Sequence, residues 1–182
     1  MQTITQMTTG TLIQTHAAKI NCVPSMGRLS LRSRGNLSPL NEVLGLTLPT
    51  KIGDIATKAQ TEALCVGPDE WIIVTENVTT IETKCQSVYD KFPHSLVDIS
   101  GREITFKIEG DRATELLTLG LARDPESIAI GTGRRVFFDG FTVVLWRNEE
   151  QAYHMDVWNS FASHIFGLLK TGSKELTADM QV

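Results

Sequence analysis

The sequence is short of cysteine, of basic charge and of long apolar runs, and each shortage closes off a class of protein. Its 182 residues hold three cysteines, Cys22, Cys65 and Cys85. An odd, widely spaced set with no C-x-x-C pair is not a disulfide framework. Cys65 falls in an apolar run and Cys85 on the apolar face of an expected helix, so both read as buried thiols in a reducing cytoplasm. Lys and Arg number 17 against 21 Asp and Glu, a formal net charge of −4. That balance argues against a nucleic-acid partner, which calls for a basic excess or stripe. Two small basic groups, Arg28 with Arg32 and Arg34, and Arg134 with Arg135, read as solvated surface. No apolar run approaches the roughly 20 residues of a membrane-spanning helix, so no membrane partner is expected. Residues 1–18 lack the basic start and apolar block of a signal peptide.

Catalytic constellations are equally scarce. His16, His94, His154 and His164 have neither an i, i+4 partner nor the neighbouring carboxylate of a zinc helix. There is no G-x-x-x-x-G-K-[ST] loop and no G-x-S-x-G elbow. Gly131-Thr132-Gly133, with Arg134 and Arg135 behind it, could cradle an anion. It lacks the third glycine of a dinucleotide loop and precedes a strand rather than a helix, so it reads as a loop entering a hairpin. Asp69 and Glu70 are adjacent on a strand and point to opposite faces. Asp98, among Leu96, Val97 and Ile99, has to be hydrogen-bonded, to backbone amides or to Arg102, and its role reads as structural. No catalytic, cofactor-binding or metal residue is assigned in this chain.

What the sequence does have is a core. Hydrophobic residues make up 41% and charged residues 21%, a globular composition. The chain is organised around Ala63-Leu64-Cys65-Val66-Gly67-Pro68-Asp69-Glu70-Trp71-Ile72-Ile73-Val74. Two apolar runs flank a Gly-Pro-Asp-Glu connection, which reads as strand, tight turn, strand, with Trp71 as anchor. Before it, residues 28–32 alternate as a strand, Ser38 and Pro39 open a helix, and Gly45 closes it. Residues 51–62 read as surface. After it, Ile81, Cys85, Val88, Tyr89 and Phe92 form one stripe of a helix that Pro93 stops. Residues 102–108 alternate again, and Asp111 caps a helix with Ala113, Leu116 and Leu117 on one face. Asp139-Gly140 turns a hairpin between residues 134–138 and 141–146, residues 153–157 are a third strand, and Trp158, Phe161, Ala162, Ile165 and Leu169 stripe the last helix.

The two halves repeat one order: strand, helix, a Leu-Gly-Leu stop, loop, hairpin, closing helix. Leu44-Gly45-Leu46 and Leu119-Gly120-Leu121 recur 75 residues apart, from 44 to 119. The expected fold is α+β, two similar lobes, each an antiparallel sheet with helices on one face. The expected bounds are a flexible leader at 1–20, lobes at 21–95 and 96–170, and a frayed tail at 171–182. Large apolar side chains not needed in the core become candidate partner contacts: Trp71, Phe138, Phe141, Trp146 and Trp158.

Several segments converge on one family. Leu64-Cys65-Val66-Gly67-Pro68-Asp69-Glu70-Trp71 resembles the Leu-Gly-Pro-Asp-Glu-Trp signature of the gamma subunits of heterotetrameric sarcosine oxidase. Leu29-Ser30-Leu31-Arg32, Leu44-Gly45-Leu46-Thr47-Leu48-Pro49, Val97-Asp98-Ile99-Ser100 and Ser160-Phe161-Ala162 support it in the same order. Asn159 stands where the family usually has Arg before Ser-Phe-Ala, and Arg135 where it has Thr. The resemblance implies a fold similar to the folate-binding domains of aminomethyltransferases. It also implies a non-catalytic subunit with alpha, beta and delta partners, which carry FAD and FMN, NAD and folate, and zinc. The competing expectation is a free-standing folate-binding protein or one-carbon transferase. The Lys-Gly-Cys-Tyr-x-Gly-Gln-Glu motif of one such family is absent.

Overall fold

The structure, a computed structural model, describes residues 7–180. Its elements are β1 (Gly10–Gln14), β2 (Lys19–Cys22), β3 (Gly27–Arg32), α1 (Ser38–Leu44), β4 (Ile55–Lys58), β5 (Thr61–Gly67), β6 (Glu70–Thr75), α2 (Val78–Gln86) and β7 (Ser95–Asp98), then β8 (Glu103–Glu109), α3 (Ala113–Thr118), a 3-10 turn (Pro125–Ser127), β9 (Thr132–Phe138), β10 (Phe141–Glu149), β11 (Ala152–Trp158) and α4 (Asn159–Asp179). They form two antiparallel sheets, giving an α+β fold. The chain divides into two compact units, Met26–Gly101 and Met1–Ser25 with Arg102–Val182.

In Met26–Gly101 the sheet order is β4-β5-β6-β3-β7. Period-2 alternation sends Leu29 and Leu31 of β3 into the core, where they pair in register with Ile73 and Trp71 of β6. Leu40 and Leu44 of α1 and Ile81 and Cys85 of α2 close over them. In the other unit the order is β1-β2-β8-β11-β10-β9. Phe106, Ile108, Val143, Leu145, Tyr153, Met155 and Val157 face Leu116 and Leu117 of α3 and Ala162, Ile165, Leu169 and Leu176 of α4.

Each unit runs strand, helix, three-stranded meander, helix. In each, the last strand of the meander pairs with the opening strand, β6 with β3 and β11 with β8. The two Leu-Gly-Leu stops do different work. Gly45 takes φ 65° as the C-cap of α1, a conformation that favours glycine. Gly120 is needed for space: a Cβ there would lie 2.5 Å from the Phe138 ring. That ring is fully buried and has nowhere to move.

The structure differs from the sequence expectation at both ends. Residues 10–14 and 19–20, inside the expected leader, are strands hydrogen-bonded into the sheet through β8. The expected tail continues α4 to Asp179, held by Ser173 Oγ 2.7 Å from Thr15 Oγ1 and by Arg112 Nη1 donating to the Leu176 carbonyl at 3.2 Å. Residues 1–6 and 181–182 lie outside the described residues. The unit boundary falls at 101/102 rather than 95/96, because β7 pairs with β3. β4 lies in a stretch expected to be surface. α2 ends at Gln86, and the chain turns through i to i+3 bonds such as Tyr89 N–H to the Gln86 carbonyl, 3.2 Å. Neither Ser38 nor Asp111 caps its helix: the N-cap positions are Leu37 and Arg112.

Gly120→Ala therefore overpacks the Phe138 contact. Urea denaturation is expected to show a loss of about 1–3 kcal/mol, the usual cost of adding a methyl group to a filled core.

Candidate functional site

The stretch that organises the sequence also builds the most articulated surface feature of Met26–Gly101. β5 and β6 are joined across Pro68 and Asp69, with Gly67 opposite Glu70 and a register irregularity between Cys65 and Gly67. The β3–β6 ladder continues past Arg32 and Glu70: the Ser33 N–H donates to the Asp69 carbonyl at 3.1 Å. Two ion pairs flank this ladder end. Arg32 Nη2 lies 2.9 Å from Glu70 Oε2, and Arg34 Nε lies 2.7 Å from Asp69 Oδ2. The partners are unequally covered, with side-chain exposures of 60% for Arg32 against 12% for Glu70, and 89% for Arg34 against 28% for Asp69.

Trp71 stands behind them, 1% exposed, its Nε1–H donating to the Pro49 carbonyl at 2.7 Å. Asn41 Oδ1 of α1 accepts the Leu48 N–H at 2.9 Å and fixes the same loop. Between loop and hairpin lies an open cavity of about 510 Å³. Leu37, Pro68 and Trp71 line its apolar side, and Ser33, Arg34, Thr50 and Asp69 its polar side. The basic group that reads as solvated in the sequence is split here, since Arg28 is buried while Arg32 and Arg34 face outward.

Of the five aromatic residues expected as partner contacts, the structure buries three. Trp71, Phe138 and Trp146 are 0–2% exposed, so their surfaces are already used inside the protein. Trp146 donates Nε1–H to Asp156 Oδ2 at 2.8 Å. The Thr105 hydroxyl donates to Asp156 Oδ1 at 2.5 Å, and the His154 ring stacks on Trp146 at 4.8 Å. The other two stay near the surface and come together. Phe141 stacks on Phe161 with centroids 4.2 Å apart, and Phe161 lies 6.2 Å from Trp158. Trp158 is 42% exposed, with the Arg102 guanidinium 5.3 Å above its ring. His164 meets Phe141 edge-on and places Nε2 2.6 Å from Asp139 Oδ2 at the β9–β10 turn. An aromatic band thus runs from the start of α4 to that turn. Phe161, read in the sequence as core stripe, is its middle member.

The remaining polar residues act as ties. The Gly131 N–H donates to the Arg147 carbonyl at 2.7 Å, and β9 begins at Thr132, so the glycine pair does open a hairpin strand. Arg147, 7% exposed, donates Nη1 to the carbonyls of Glu126 (3.0 Å) and Ile128 (2.9 Å) and lies over the Tyr153 ring. Asp98 is exposed and accepts the Ser100 N–H at 2.8 Å. The Ser100 hydroxyl and amide hold its carboxyl below the usual range. His94 Nδ1 lies 2.7 Å from the Phe92 carbonyl and His154 Nδ1 2.9 Å from Asn148 Oδ1. Among the described residues no group of three or more His, Cys, Asp or Glu could hold a metal ion, and no helix is long and apolar enough to cross a membrane.

Residues 36–175 match the family described as sarcosine oxidase, gamma subunit. Two relatives are similar in sequence. The sarcosine oxidase subunit gamma of Corynebacterium sp. (strain U-96) is 26% identical over 137 residues, 74% of this chain and 67% of the relative. That of Corynebacterium sp. (strain P-1) is 22% identical over 157 residues, 85% of this chain and 77% of the relative. The fold is similar to a chain of the heterotetrameric sarcosine oxidase from Corynebacterium sp. U-96 in complex with pyrrole 2-carboxylate. The TM-score there is 0.80 at 23% identity, over 92% of this chain and 89% of that one. It is also similar to the glycine cleavage system aminomethyltransferase T from Bartonella henselae, TM-score 0.64 at 11% identity, over 85% of this chain and 46% of that one.

All three thiols are buried, and burial pushes Cys85 up to about 11, with Lys84 pulling weakly the other way. Only thiolate reacts with a disulfide reagent. At pH 8 the folded protein is expected to resist Ellman's reagent and the unfolded protein to react at all three sites. A folded-state pKa raised above the unfolded value contributes stability that is complete below the unfolded pKa and is lost as pH rises through the folded one. The urea midpoint is therefore expected to fall between pH 9 and 11, and to fall less in Cys85→Ala.

Proposed function

The chain belongs to the sarcosine oxidase gamma subunit family, and on that premise we propose that it serves as the non-catalytic subunit of a heterotetrameric sarcosine oxidase, acting in assembly and stability of the complex. In this reading the complex oxidatively demethylates sarcosine to glycine. It yields hydrogen peroxide and, with tetrahydrofolate, methylene-tetrahydrofolate. Alpha, beta and delta partners carry the FAD, FMN, NAD, folate and zinc, and the complex works in the cytoplasm. The observation that supports the reading is the family match over residues 36–175, which takes in elements of both compact units. The likeness to aminomethyltransferase T is one of fold, over 46% of that chain, and it does not favour a free-standing transferase.

The surface offered for assembly is the aromatic band. Trp158 presents a large rigid indole beside a guanidinium, and Trp and Arg are the side chains that most often dominate interfaces. Phe141 and Phe161 support it from beneath.

Co-expression with candidate alpha, beta and delta subunits, followed by size-exclusion chromatography, tests the proposal. The wild-type chain is expected to co-migrate with them. Trp158→Ala is expected to weaken association on the order of tenfold or more, the effect of removing an interface anchor, with circular dichroism unchanged. A wild-type chain that elutes alone contradicts the reading.

A further inference from the structure

We propose that the open end of the β5–β6 hairpin is a separate docking site, and that it takes a carboxylate side chain next to an apolar residue from an extended segment of a partner subunit. The inference rests on the reading of the chain as an assembly subunit and names the chemistry of one of its contacts.

Charge is the first ground. The two ion pairs sum to zero, but the carboxylates of Glu70 and Asp69 are 12% and 28% exposed and the guanidiniums of Arg32 and Arg34 are 60% and 89% exposed. In each pair the cation is the partner that reaches further into solvent. Geometry is the second ground. Asp69 engages Arg34 through Nε, which fixes the plane of the guanidinium and leaves its Nη1/Nη2 edge without a partner among the described residues. That edge is the fork that binds a carboxylate through two parallel hydrogen bonds. A lysine at the same place would offer a charge without the fork.

Shape is the third ground. The cavity beneath Arg34 measures about 510 Å³, within the roughly 300–1,000 Å³ of ordinary binding pockets. Its apolar side is made of Leu37 and Pro68, with the buried Trp71 reaching its wall only at an edge. An apolar side chain next to the carboxylate would fill it. The site is open rather than enclosed, which suits a stretch of chain lying across it. It is also built before anything arrives. The Ser33 N–H to Asp69 carbonyl and Trp71 Nε1–H to Pro49 carbonyl bonds hold its two walls, so little ordering remains to be done on binding.

The test uses the full chain with its co-expressed partner subunits. Association is measured for wild type, Arg34→Glu, Arg34→Lys and Thr50→Trp at about 50 and 300 mM salt, on either side of physiological screening. Thr50 is exposed at the cavity mouth, and a tryptophan there occupies the space without touching the core. Wild type is expected to bind more weakly at high salt. Arg34→Glu is expected to lose about tenfold or more and most of the salt dependence, as removal of a desolvated charge contact does, with Arg34→Lys in between. Thr50→Trp is expected to lose a similar amount, and it decides the matter if Arg34→Glu does not fold. If wild type assembles and the variants assemble equally well, the site is not used while the assembly reading stands. If wild type does not assemble, both fall together. If phenylacetate binds the chain saturably through Arg34 while assembly is indifferent to Arg34→Glu, the site serves a small carboxylate and the proposal is overturned.

Discussion

The indole of Trp71 sets the geometry of Met26–Gly101. A tryptophan can bury a large apolar area, but its one N–H must find an acceptor in the interior or cost a lost hydrogen bond. Here the acceptor is the Pro49 carbonyl, in a loop where no sheet or helix partner competes for it. One bond therefore ties the middle of the α1–β4 loop to the central strand of the sheet. The Leu48 N–H bond to Asn41 secures that loop from the other side. With both fixed, the hairpin end stands off from the loop, and the open cavity with its two outward arginines follows from that separation.

The other unit solves the same problem with charged groups. Asp156 is 1% exposed and receives bonds from Trp146 and Thr105. Arg147 is 7% exposed and holds the loop carbonyls of Glu126 and Ile128. A buried polar group is costly unless it is hydrogen-bonded. The Asp156 carboxyl and the Arg147 Nη1 are bonded in this way and hold strands and loops together, while Arg147 Nε is buried without a hydrogen-bond partner among the described residues. What is left toward solvent is an aromatic band on one unit and a cationic cleft on the other.

Much of this was legible from residue order. Period-2 alternation placed β3, β8 and the β9–β11 meander, Asp139-Gly140 placed the hairpin turn, and the repeated order of elements foretold two antiparallel sheets. The misses have physical causes. β1 lies in a Thr- and Gln-rich stretch with only Leu12 and Ile13 as apolar residues, and it joins the fold by pairing with β2 and packing those two on the core, so no local alternation announces it. Gly172 and Ser173 look like helix breakers. Gly172 is small because Leu116 of α3 and Leu119 just after it pack against that turn of α4, and Ser173 bonds Thr15. Strand alternation suggested that both faces of the β9–β10 hairpin are covered but could not say which aromatic side chains fill them, so Trp146 and Phe138 stood as candidate partner contacts when they are core. The Arg34–Asp69 pair spans 35 residues, a distance no spacing rule bridges.

A subunit that works through its surfaces leaves the chemistry to its neighbours. That claim is tested most directly by sarcosine-dependent hydrogen peroxide formation, measured for the purified chain alone and for the assembled complex containing it. The account predicts turnover in the complex and none in the isolated chain. Sarcosine oxidation by the isolated chain would contradict it.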